Sequence, residues 1–407
     1  MKFRSLAPKQ RSTSQLNRVR FLSLAVLIIA GMIPTLHAQT FSVLYNFKGA
    51  PDGSMPQGDL LRDGQGNLYG TTSSGGTGNG IVFLLTATGH ELLRPFGSQP
   101  DGSSPKAGLV VDPTGNAYGT TYGGGSGGDG TVFRINRSGV ETVLHSFSGP
   151  DGAHPSAGLI RDRSGNLYGT TFYGGAAACS CGTVFKLTST GTESVLYSFT
   201  GEADGKFPQS GLVMDSAGNL YGTASDGGIV NCDNGIHGCG VVFKVDSNGN
   251  EEVLYSFTGN ADGGEPLAGL VRDSTGTLYG TTFSAGDLSR NCALNHGCGV
   301  VFALNTSGQE NTLYTFTNGA DGANPLADLV RDPSGNLYGT AKLGGQGYGV
   351  VFKVDPAGNE SVLHSFTGGA DGADPLAGVI RDSAGNLYGT ASFGGSSEEG
   401  VVFKITP

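Results

Sequence analysis

The chain has 407 residues, 72 of them glycine, with 14% charged residues and no tryptophan. That much glycine without a Gly-X-Y period excludes collagen, and 37% apolar residues exclude wholesale disorder. A net charge of −10 sets the surface against phosphate backbones and anionic membranes, which argues against a nucleic-acid partner.

Residues 1–38 differ from everything after them. Lys2, Arg4, Lys9, Arg11, Arg18 and Arg20 form a basic segment with no acidic residue. Phe21 to Leu36 is apolar, interrupted by Pro34, and Leu36-His37-Ala38 puts a small residue at a cleavage position. The pattern reads as a Sec-type signal peptide, because a membrane-spanning helix needs about 20 apolar residues. Neither a twin-Arg pair nor a nearby Cys supports another export route. Without the six positive charges the remaining chain carries 18 basic residues against 34 acidic ones, a net charge of −16. The expectation is a secreted protein, extracellular or periplasmic, with no membrane contact after cleavage and a monomeric domain over 39–407.

That domain opens with Phe41-Ser-Val-Leu-Tyr-Asn-Phe47, and then one tripeptide, x-Tyr-Gly, recurs at Tyr69, Tyr118, Tyr168, Tyr221, Tyr279, Tyr338 and Tyr388. Spacings near fifty residues with several short strands per unit mark a propeller array. In the third unit, Ala157 to Asp162, Leu167 to Thr170, Thr183 to Leu187 and Glu193 to Phe199 are short β-branched and aromatic runs. They are separated by Gly, Asn, Ser and Asp, the residues of hairpin turns. No stretch carries a helical apolar period, so the chain is all-β.

The last unit ends at its third strand, Gly400 to Thr406, and the N-terminal run matches the missing fourth. Pairing the two closes a ring of seven four-stranded antiparallel blades and removes the open edge. Phenylalanines at one third-strand position (Phe83 to Phe403) and at the fourth-strand ends (Phe47 to Phe366) are expected between blades. Asp63, Asp112, Asp162, Asp215, Asp273, Asp332 and Asp382 precede Asp-x-x-Gly turns and are expected to cap them.

On these residues, notably Ala377-Gly-Val-Ile-Arg-Asp-Ser-Ala-Gly-Asn-Leu-Tyr-Gly-Thr390, Gly400-Val-Val-Phe-Lys404 and Val362-Leu-His-Ser-Phe-Thr-Gly-Gly-Ala-Asp371, the chain resembles the GloVer (Gloeo/Verruco) tandem-repeat family of secreted bacterial proteins. The similarity recurs seven times over residues 41 to 406 and extends, more loosely, to NHL-type propellers. It implies the fold and no catalytic activity. Family members often carry a C-terminal anchoring segment; this sequence ends at Pro407, which favours free secretion.

Function is expected on the rim shared by the loop after the second strand and the loop entering the next blade. The first is 14, 19 and 20 residues long in blades three to five, against 11 or 12 elsewhere. These long loops hold Cys179/Cys181, Cys232/Cys239 and Cys292/Cys298, which in an exported chain read as disulfides. Loop-internal closure suits the last two pairs. Cys179-Ser-Cys181 would form a tight ring, so a bridge to a neighbouring blade is the alternative there. His237-Gly-Cys239 and His296-Gly-Cys298 supply a competing zinc reading, short of the usual four ligands.

The entering loop carries Asp-Gly-x-x-Pro, and the residue before Pro varies: Met55, Ser104, His154, Phe207, Glu265, Asn324 and Asp374. His154, Phe207, Glu265, Asn324 and Asp374 are the candidate ligand-binding set. Asp59 and Asp328 replace a first-strand glycine, and carboxylates facing the channel are candidate Ca²⁺ ligands. Gly124-Gly-Ser-Gly-Gly128 fits two enzyme patterns but precedes no helix, the context both require. The leading expectation is a non-catalytic propeller that binds a carbohydrate, peptide or protein through the rim of blades three to five. The alternatives are a calcium-dependent hydrolase or lyase at the central mouth, and a structural envelope protein.

Overall fold

The computed structural model describes residues 39–407 apart from 98, 177, 229–237, 290–291 and 293–295. The leader segment therefore lies outside the described residues, as do Cys232 and His237. Seven blades of four antiparallel strands follow one another, and the described residues contain no helix. Blade three shows the pattern: Ile160–Arg161, Leu167–Thr171, Thr183–Leu187 and Glu193–Ser198, paired in that order from the axis outward. In blade seven the outermost place after Val401–Thr406 is taken by Thr40–Asn46, with Val43 opposite Phe403. The ring is thus closed by the N-terminal strand, as the displaced repeat predicts. All seven outer strands carry a bulge at the same register, which increases their twist where the blades fan apart.

The two phenylalanine sets meet across every seam. Phe47, Phe96, Phe147, Phe199, Phe257, Phe316 and Phe366 each lie edge-to-face on the third-strand phenylalanine of the next blade. Ring centroids are 5.0–5.4 Å apart with planes at 68–70°. Burial is complete for these rings, so each contributes about 2–3 kcal/mol by burial and about 1 kcal/mol more by ring geometry. The landmark glycine makes room: a Cβ on Gly222 would lie 2.7 Å from the Phe243 ring.

Polar groups repeat as regularly. Each turn aspartate accepts a backbone N–H four residues on, and its second oxygen accepts the landmark tyrosine hydroxyl, as at Asn166, Asp162 and Tyr168. Those hydrogen bonds outweigh partial burial and hold the seven carboxyls below the usual range. At four seams an arginine from the next blade covers the tyrosine ring, as Arg272 covers Tyr221 at 5.6 Å.

The rim prolines are seated in the seams. A Cβ on the glycine before each third strand would lie 2.5–2.9 Å from the Pro Cδ of the next blade, Gly400 meeting Pro56 at the closure. Only glycine permits that approach.

Truncating one seam ring tests this account. Phe243→Ala is expected to lower unfolding stability by about 3–5 kcal/mol, while Phe393→Ala on the exposed rim costs under about 0.5 kcal/mol. Urea denaturation of both variants gives the comparison; equal losses would refute the seam as the stabilising contact.

Candidate functional site

The first strands line an axial cavity of about 400 Å³. Its mouth is formed by the residue after each rim proline, two positions beyond the variable one singled out in the sequence. Gln57, Lys106, Ser156 and Gln209 make a polar arc on blades one to four, and Leu267, Leu326 and Leu376 an apolar arc on blades five to seven. The opening is therefore amphipathic from side to side.

The residue before proline has a different task. Met55, Ser104, His154, Phe207, Glu265, Asn324 and Asp374 all adopt φ between 50° and 60°, a left-handed conformation costly to any side chain. What holds them there is the seam. Each backbone N–H donates to a carbonyl just ahead of the preceding blade's third strand, at 2.7–3.1 Å. From Ser104 onward each carbonyl accepts the N–H of the residue after the second strand's last Thr or Ala. Their side chains then diverge. Asn324 is fully buried and its amide donates to the carbonyls of Phe283 and Gly297. Glu265 is half-buried and raised above the usual carboxylate range by burial and by Asp226, with His296 opposing. Glu265, Asp374 and His154 do not line the axial cavity.

His154 and Phe207 belong to an aromatic arc on blades two to four. The Tyr122 ring stacks on His154 at 4.7 Å, and Tyr173 packs edge-on against both His154 and Phe207. Phe172 lies 5.1 Å from Phe207. Bridges such as Ala153 with Tyr173 confirm that both loop types share this face. Tyr173 is exposed and the other four are half-buried. The Lys106 ammonium sits 3.5 Å from the Tyr122 ring centroid, so the arc runs directly into the cavity mouth. Burial alone lowers the Lys106 pKa. Gln57, Lys106, Ser156, Gln209, Tyr122, Phe172 and Tyr173 are the residues sequence reasoning missed. The available signal was the aromatic residue following the second strand, in Thr120-Thr-Tyr122 and Thr170-Thr-Phe-Tyr173.

Asp59 and Asp328 lie in the cavity wall. Asp59 accepts the Gly378 N–H at 2.7 Å and Asp328 the Gly269 N–H at 2.5 Å, each reaching back to the preceding blade. Desolvation raises both carboxyls, and their mutual repulsion raises Asp59 further. The neighbouring hydroxyls respond to the substitution. In five blades the second-strand threonine donates to the first strand of the next blade, as Thr223 does to the Ala268 carbonyl. Thr281 and Thr390, at the two seams leading into the aspartate-bearing blades, are buried without a partner. A carboxylate bridge has replaced the hydroxyl bridge there.

The cysteines occupy one structural position. Cys181, Cys239 and Cys298 provide the carbonyls that accept the N–H groups of Phe207, Glu265 and Asn324. Cys179 is bonded to Cys181 and Cys292 to Cys298, and Cys239 is also disulfide-bonded. The Cys179–Cys181 bridge corrects the expected alternative of a link between blades. Ser180 at φ 54° turns the chain so that the two sulfurs meet, and its hydroxyl accepts the Gly174 N–H. Sulfurs committed to these bridges leave Cys298 and Cys239 no thiolate for zinc. Among the described residues no helix is long and apolar enough to cross a membrane.

The closed ring, its repeated seams and its loop-bearing rim define a β-propeller repeat protein. The chain belongs to the Gloeobacter/Verrucomicrobia repeat family, whose pattern matches residues 29–233 and 229–407. No curated protein matches the chain in sequence. Among solved structures, virginiamycin B lyase from Staphylococcus aureus superposes with a TM-score of 0.59 and 13% identity, over 91% of this chain and 99% of the other. The extracellular domain of a one-component system from B. thetaiotaomicron gives 0.55 and 10% identity over 89% of this chain, which spans 40% of that one. At these identities the likeness is one of fold.

The perturbed carboxyls predict a pH dependence. Besides the cavity pair, Glu193, Glu251 and Glu360 are raised to about 7 by burial and by a neighbouring aspartate. A raised carboxyl stabilises the fold fully below its unfolded value near pH 4 and loses that contribution as pH climbs through the folded value. The lowered turn aspartates act oppositely and lose theirs as pH falls below about 4. Melting temperature should therefore peak near pH 4–5 and decline toward pH 8. Asp59→Asn should flatten the decline; an unchanged slope would count against the cavity assignment.

Proposed function

We propose that the protein is a secreted, non-catalytic propeller that binds a carbohydrate along the aromatic arc of blades two to four and the adjoining mouth. The observation that carries this reading is the continuous path from Lys106 through Tyr122, His154 and Tyr173 to Phe207. Pyranose rings present flat C–H faces that lie on half-exposed aromatics, while their hydroxyls need amide and hydroxyl partners such as Gln57, Ser156 and Gln209 at the mouth. Among the described residues Lys106 supplies the single cation of that mouth, which favours a sugar bearing a carboxylate, such as a uronic acid. Disulfides in the rim loops support an oxidising, extracytoplasmic setting. Such a seat lies one blade earlier than the loop lengths suggest.

A second reading rests on Asp59 and Asp328. Two carboxylates facing one cavity, each anchored by one backbone N–H, suit a Ca²⁺ ion supporting hydrolysis or elimination. The lyase named among the structural neighbours gives this alternative its class.

A panel of neutral and uronic-acid polysaccharides, screened by calorimetry with and without Ca²⁺, separates the two. Binding without turnover is expected, weakened about fivefold to tenfold or more by Tyr173→Ala and selectively for acidic sugars by Lys106→Met. Release of shortened products only with Ca²⁺, abolished by Asp59→Asn, would establish the second reading instead.

A further inference from the structure

At the outer end of the six seams from blades one–two to six–seven three side chains converge: one from the outer strand of a blade, the aspartate of the Asp-Gly-x-x-Pro loop, and one from the outer strand of the next blade. At four seams, the closing one included, the first is a tyrosine whose hydroxyl donates to the aspartate, as Tyr45 does to Asp52, Tyr197 to Asp204, Tyr255 to Asp262 and Tyr314 to Asp321. At the first seam Arg94 bonds both Asp101 and Glu141 and neutralises the carboxylates directly. At the seam between blades two and three a histidine stands where those seams have a tyrosine or arginine. There His145, Asp151 and Glu193 bring one ligand atom each within 4.8 Å of one another. The His145 Nε2 lies 2.9 Å from Asp151 Oδ2. The Glu193 Oε1 is buried without a hydrogen-bond partner, as are the Oε1 atoms of Glu141, Glu251 and Glu360 at other seams; among the described residues only here does a histidine face it.

We propose that His145, Asp151 and Glu193 form a binding site for a divalent transition-metal ion, with zinc the best match to one imidazole and two carboxylates. A neutral imidazole and two carboxylates balance a doubly charged cation. A zinc ion bound at about 2.0–2.2 Å from each donor places them about 3.4 Å apart, so the 2.9 Å His145–Asp151 pair opens slightly while donors up to 4.8 Å apart draw in. The fourth position opens outward, since the His145 and Asp151 side chains keep 19% and 22% of their exposure. A cation at this point gives the buried Glu193 oxygen a partner and offsets the facing carboxylate charges. The fold contains its own comparison: the seam between blades six and seven keeps His364 and Asp371 at 3.0 Å, but Phe41 takes the place of the glutamate and stacks on the imidazole at 3.7 Å. Among the described residues only the blade two–three seam joins a histidine to two carboxylates.

Protein stripped with EDTA and titrated with zinc chloride in a calorimeter, with Co²⁺ absorption as a second readout, tests the site. One zinc per chain is expected at micromolar concentration. His145→Tyr copies four natural seams and should keep the metal-free melting temperature while weakening zinc at least roughly tenfold. Glu193→Gln should weaken it likewise. No zinc uptake by the parent protein, or equal affinity in His145→Tyr, overturns the proposal.

Discussion

The edge-on contact between two phenylalanines at each seam is the constraint on which the rest of the molecule depends. A blade of four short strands cannot bury its own faces, and the ring at the end of one outer strand finishes the core of the next blade. Because the pair recurs with nearly the same distance and angle, every blade meets its neighbour at the same inclination. Seven equal steps then return the chain to its start.

That fixed inclination explains the features of the rim. The glycine ahead of each third strand and the proline of the next blade must occupy one small space, and the residue before proline is forced into a left-handed turn to reach its carbonyl partner. With the backbone so occupied, the side chain at that position is free of the scaffold's demands. Asn324 turns inward, whereas His154 and Phe207 join a surface of aromatic rings. The disulfides reinforce the same carbonyl position under three of those turns.

Much of this was legible in the sequence, because repetition averages out local ambiguity. Seven copies of x-Tyr-Gly located the second strands, and the mismatch between the first and last strands revealed the closure. The turn aspartates were readable because Asp, Gly and Tyr lie within six residues of one another. The candidate surface was harder. Its members come from different blades, so their proximity depends on the rotation between blades, which no single repeat records. Lys106 and Tyr122 are sixteen positions apart and meet only because strand and loop return to the same rim. Attention to the residue before proline pointed to a true irregularity of the chain, but the cavity mouth belongs to the residue after it. The threonines left unpartnered beside Asp59 and Asp328 were equally invisible, since a broken hydrogen bond has no sequence signature.

The closing strand has a consequence for how the chain reaches this state. Val43 pairs with Phe403, so the first strand to be made waits for the last. Local hairpins within blades one to six need no distant partner and can form in order as the chain lengthens. Blade seven cannot, and until its outer place is filled the Phe47 ring has no fixed position against Phe83. The final step joins segments separated by almost the whole domain, a costly loop closure and a slow one. An incomplete chain thus exposes an unpaired strand edge and a row of uncovered rings at the unfinished seam, a kinetic vulnerability that ends only when the two termini meet.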